Sequence, residues 1–161
     1  MDKEQRLMKR LACAWLVIVG LLAGGGIVHA AGTMAVTERV DLTHPYHGKK
    51  ITVSWTADAA DGSLPNNLDL AMGGLVLKVV TNPGATAPTD NYDIACGDPN
   101  DSTLDVFATT LNNRDTANTE QVYPVVSGAT APVYVSHCTL QITNNSVNSA
   151  TGAIHFYVLK P

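Results

Sequence analysis

From residue 31 onward the chain is a series of short alternating or fully apolar runs, and nowhere does it show the 3.6-residue apolar rhythm of a long helix. This pattern limits the fold more than any other feature. "KKITVSWTA" alternates Ile51, Val53 and Trp55, and "GLVLKVVT" over 74–81 is rich in β-branched residues. "NYDIAC", "STLDVFATTL" over 102–111, "TEQVYPVV" over 119–126, "APVYVSHCTLQIT" over 131–143 and "GAIHFYVL" over 152–159 complete the set. The intervening segments, among them "DAADGS", "NPG", "GDPND", "NNRDTAN" and "NNSVNSATG", are turn chemistry. About seven short strands with no helix between them predict an all-β fold, an antiparallel β-sandwich or jelly-roll-like single domain. Pro124 marks its strand as an edge or a break.

The expected domain runs over 49–161. Residues 31–48, "AGTMAVTERVDLTHPYHG", read as an extended N-terminal arm packed loosely on it. Residues 1–30 form a different kind of segment. Lys3, Arg6, Lys9 and Arg10 precede an uncharged stretch from Leu11 to Val28, and "VHA" ends at Ala30 with the small side chains a signal peptidase accommodates. A hydrophobic leader helix cleaved after Ala30 is the expectation. A membrane anchor of about 18 residues is the competitor, and it is weakened by Gly24, Gly25 and Gly26. Cys13 belongs to this leader. A start at Met34, with everything upstream misassigned, is the other reading.

The formal charge is −4, and four of the 10 basic residues lie in the first ten positions, so the remainder is more acidic still. With no Lys/Arg cluster, such a domain is repelled by phosphate backbones and anionic lipid, which argues against nucleic acid as a partner and leaves membrane contact to the leader alone. Cys96 and Cys138 fall on strand faces shared with Tyr92 and Ile94 and with Leu140 and Ile142, so both thiols point toward the core. In an oxidising compartment they would close a loop of about 43 residues; in the cytosol they would remain two buried thiols. With no histidine at ligand spacing, they make a poor zinc site.

No motif for catalysis or cofactor binding is present, and no cofactor is expected. His44 and His47 in "HPYH" read as surface histidines of the arm, because Pro45 blocks a helical ligand pair. Asp98, Asn100, Asp101 and Asp105 in "GDPNDSTLD" are the best ion candidates, as oxygen ligands for calcium, although the spacing lacks the glycine and glutamate of an EF-hand loop. His137 and His155 are explained by strand alternation, and Ser127 and Ser136 lack a base or a nucleophile elbow. Arg114 in "NRDTANTE" is placed to pair with Asp115 or Glu120 within an ordered, Asx-turn connection.

From Met34 the order "MAVTERVDL", "KKITVSWTADAADG", "TAPTDNYDI", "NRDTANTEQVYP" and "ITNNSVNSATGAIHFYV" resembles a family of small β-rich virion structural proteins of tailed bacteriophages. The resemblance implies a non-enzymatic head-decoration, head-tail or tail-surface protein that assembles with itself, as a homo-oligomer, and with other virion proteins. It implies a virion location if the chain starts at Met34. Against it stand the leader and the two cysteines, which favour an exported periplasmic or cell-surface binding module, periplasmic or secreted. A secreted hydrolase is the weakest alternative.

Overall fold

The computed structural model describes residues 30–42, 47–65 and 67–160; the leader expected ahead of Ala30 and His44 lie outside the described residues. Among the described residues the strands are β1 (Thr33–Leu42), β2 (Gly48–Thr56), β3 (Leu68–Pro83), β4 (Asp93–Asp98), β5 (Asp101–Asp105), β6 (Glu120–Val122), β7 (Val125–Val126), β8 (Ala129–Thr130), β9 (Val133–Thr143) and β10 (Thr151–Leu159). Every pairing among them is antiparallel. One sheet runs β1-β2-β10-β3-β9-β4-β5, with β6 also on β3; β7 and β8 form a separate hairpin. Ser127 and Gly128 make its two-residue turn, both at positive φ, 51° and 82°.

The strand β3 allows one hydrogen-bonded sheet to enclose a core. Its first half, Leu68 to Val76, pairs with β9, while Leu75 to Pro83 pairs with β10. Between Ala71 and Gly74 the register with β9 slips. Gly73 there has φ +55°, and a Cβ on Gly74 would overlap the carbonyl oxygen of Leu159. A bulge with this conformation and this closeness bends the strand, so the β2-β10 half folds over the β9-β4 half. Side chains from both halves meet: the Trp55 and Tyr92 rings lie 5.8 Å apart, and Phe107 stacks on Phe156 at 6.3 Å. Ile51, Val53, Ile94, Leu140, Ile154 and Phe156 are all buried in one cluster. This all-β arrangement is consistent with a β-sandwich.

Three sequence expectations need correction. The arm over 31–48 is extended, but it is not loosely packed. Residues 33–42 are the strand β1, paired with β2 along its length, and Met34 and Val36 pack against the core. Met34, Val36, Val40 and Leu42 alternate along it, but Glu38 interrupts the pattern and the bulge between Val36 and Glu38 turns the two pairs to opposite faces. The run 102–111 is strand only to Asp105. Ala108 and Thr109 then take positive φ, 49° and 65°, in a turn that carries Phe107 and Leu111 into the core. β3 begins at Leu68, six residues before the apolar run that announced it. The 119–126 segment breaks into β6 and β7 on either side of Tyr123 and Pro124, the break that Pro124 predicted.

Cys96 on β4 and Cys138 on the adjacent β9 are fully buried, with Cα atoms 5.4 Å apart and their sulfurs at disulfide-bonding distance.

Candidate functional site

The candidate site is an apolar surface on the outer face of the β1-β2-β10-β3 half. Strand alternation turns Ile51, Val53, Phe156 and Val158 into the core, and it therefore turns the residues between them toward the outer face, although Thr52 is itself covered there. The register sets Leu42, Gly48, Leu159, Leu75 and Tyr134 side by side in one row across five strands. Leu42 is 39% exposed and Tyr134 60%. Between β3 and β10 the register slips at Tyr157/Val158, which leaves Leu77 unpaired and 40% exposed. Tyr123, at the end of β6, stands beside them.

These residues line a groove of about 220 Å³ whose walls are Leu42, Leu77, Tyr123, Tyr157, Val158 and Leu159. Gly48 leaves the groove open, since a Cβ there would sit 3.7 Å from the Leu42 Cδ1 and 3.2 Å from the Val158 carbonyl oxygen. Apolar surface left exposed forgoes roughly 25 cal/mol for each Å² that could have been buried, so covering this groove would be favourable. Lys78 is the cation at its rim. Its ammonium lies 4.7 Å from the Tyr157 ring centroid and donates to Gln121 Oε1 at 2.8 Å. Lys78 is in no ion pair among the described residues.

A polar chain adjoins the groove on the same face. The Thr52 hydroxyl donates to Glu38 Oε2 at 3.0 Å, and His155 Nδ1 lies 3.0 Å from the same Thr52 oxygen. Lys50 Nζ is 2.8 Å from Glu38 Oε2. Hydrogen bonds from Lys50 and then Thr52 hold the Glu38 carboxyl below its usual range. Burial, reinforced by the Lys50 charge, pushes His155 down against the pull of Glu38, so the neutral imidazole is favoured. The Thr52 proton is committed to a carboxylate, which leaves the imidazole no hydroxyl proton to remove. That ordering is the reverse of an activated nucleophile.

At the far end of the strand order, the β4–β5 hairpin carries the residues expected to be ion ligands. Each carboxylate serves the local backbone. Asp98 accepts from the Asn100 N–H at 2.7 Å, and Asp101 accepts from Thr103 through both its N–H and its hydroxyl, at 3.0 and 2.6 Å. Asp105 accepts from Cys96, Phe107 and Thr109 N–H groups at 3.2, 3.1 and 2.8 Å. Among the described residues no three His, Cys, Asp or Glu side chains gather where they could hold a metal ion. Asn67, Asp98, Thr103, Asp105 and Gln141, with Ala95 and Pro99, do line a cleft of about 430 Å³. Leu104 projects from this hairpin, 54% exposed.

The remaining sequence candidates fall apart in space. Ser136 Oγ is 3.3 Å from His137 Nδ1, but the two are exposed chain neighbours. Ser127 is a turn residue at positive φ. Arg114 pairs with Glu120, at 3.4 Å, and not with Asp115, which caps its own turn through the Ala117 and Asn118 N–H groups. Sequence reasoning missed the apolar row altogether. Its members come from five strands, and only the register puts them together.

No protein-family model, curated protein or solved structure matches the chain.

Proposed function

We propose that the chain is a non-enzymatic structural component of a bacteriophage virion, a head-decoration, head-tail or tail-surface protein that acts by assembling with copies of itself and with other virion proteins. The folded-over sheet is read as the β-sandwich of such a protein, or a jelly-roll-like variant of it. The observation that carries the proposal is the apolar outer row from Leu42 to Tyr134 with its open groove, a surface suited to a protein partner. The ordered sequence resemblance supplies the setting. A start at Met34 would remove only Thr33 from β1, together with the Ala30 carbonyl that accepts from the Ala59 N–H at 3.1 Å. The test is the protein composition of purified particles: the chain should be present in stoichiometric amount, beginning at Met34 or Ala35. Its absence from particles would overturn the proposal.

A second reading, an exported periplasmic or cell-surface binding module, is favoured by one observation, the bonding-distance pair Cys96 and Cys138. Intact mass with and without reductant separates the two. A chain beginning at Ala31 and lacking two hydrogens supports export, and free thiols on a chain beginning at Met34 or Ala35 count against it.

A further inference from the structure

We propose that the apolar groove receives a second copy of this chain, specifically Leu104 on the acidic β4–β5 hairpin, in a head-to-tail contact. The inference rests on the assembly reading above and names its interface.

Two surfaces on this chain are complementary and cannot satisfy each other within one molecule. The hairpin lies at the β5 end of the sheet, and the groove lies on β1, β2, β10 and β3 toward the other end. Leu104, 54% exposed, is the most exposed large aliphatic residue among the described ones. The groove has apolar walls and, at about 220 Å³, room for a leucine side chain. The charges match as well. Lys78 at the groove rim has no carboxylate partner, and Asp98 and Asp101 beside Leu104 are in no ion pair among the described residues. With Leu104 seated, these carboxylates would face Lys78.

Edge-to-edge pairing is the competing way to join two copies, and both edges are blunted against it. β1 carries a bulge between Val36 and Glu38, and Arg39, on the face that should enter the core, instead donates to the Ala71 carbonyl at 2.8 Å. β5 is five residues long with Asp at each end. Bulges, short length and inward charge are the devices by which sheets prevent edge pairing. A contact between two different surfaces leaves one of each unused at the ends, so it repeats into a ring or a filament.

The test uses Leu104→Asp and Leu77→Asp in the natively expressed protein, followed by size-exclusion chromatography with light scattering. Each variant should melt like the wild type, remain monomeric by itself, and lose at least about a hundredfold in self-association. Mixed in equal amounts they should give a dimer and nothing larger, because each supplies the half that the other lacks. A mixture that stays monomeric, or a variant that assembles like the wild type, overturns the contact. Wild-type assembly untouched by both substitutions overturns the contact while leaving the assembly reading standing; a wild type that never assembles removes both. Should Leu77→Asp fail to fold, Lys78→Glu and Asp101→Lys replace it. Each alone should weaken association about tenfold, and the two in one chain should restore it. Failure to restore overturns the contact.

Discussion

Asp105 does more structural work than any other carboxylate described. It stands where strand turns to loop, and its two oxygens take three backbone N–H groups, those of Cys96, Phe107 and Thr109. Asp105→Ala leaves these donors without the acceptor that holds Phe107 over the core, and it should cost about 2 kcal/mol in urea unfolding. A second residue-scale prediction concerns acid. The folded pKa of His155 is depressed below the ordinary 6.5 by burial and Lys50, so its contribution to stability is intact above that value and is lost as pH falls through the folded pKa. Glu38, also depressed, has the same sign in a lower window, losing its contribution below 4.5. The melting temperature should therefore fall between pH 7 and pH 5, and His155→Gln should flatten that part of the profile. An unchanged slope in the variant would show that another histidine carries it.

Among the elements, β3 is decisive, because it belongs to both halves of the sheet. Gly74→Ala places a methyl group against the Leu159 carbonyl and Val158, forcing β3 and β10 apart at the bend. A loss of about 2 kcal/mol or more is expected in chemical denaturation, against a much smaller loss for Ala at Gly97, where a Cβ would sit 3.7 Å from the Thr139 carbonyl oxygen. The Cys96–Cys138 link is the second element-scale device. Oxidised, it joins β4 to β9 across 42 residues, and reduction should lower unfolding stability by roughly 3 to 4 kcal/mol, which denaturation with and without reductant would measure. The strands themselves were legible because alternation and turn chemistry are local. Ile51, Val53, Cys96, Cys138 and Leu140 could be assigned to the core without any structure. The bend in β3, the edge strand β1 and the turn after Asp105 were not legible, since they depend on a bulge, a neighbour's register and one carboxylate gathering three N–H groups at once. The candidate site was hidden for the same reason. Leu42, Leu159 and Tyr134 are far apart in sequence, and only pairing makes them a row. In the loop that looked most chemical, Asp98, Asp101 and Asp105 spend carboxylate oxygens on the local backbone, the Asn100 N–H among their donors.

At the scale of the whole molecule, the chain has a well-filled interior and an outer face on which apolar residues stay exposed. Inside, both halves contribute to one core. Outside lie the groove, the lysine at its rim and the acidic hairpin, the surfaces proposed to meet between molecules, while both sheet edges are protected. Copies are therefore expected to join face to hairpin, and the proposed role is assembly. The measurement that tests this most directly is sedimentation velocity of the natively expressed protein across a wide range of concentration at neutral pH. The account predicts a monomer at the lowest concentrations that gives way to larger species as concentration rises. A single monomeric boundary at every concentration would contradict it.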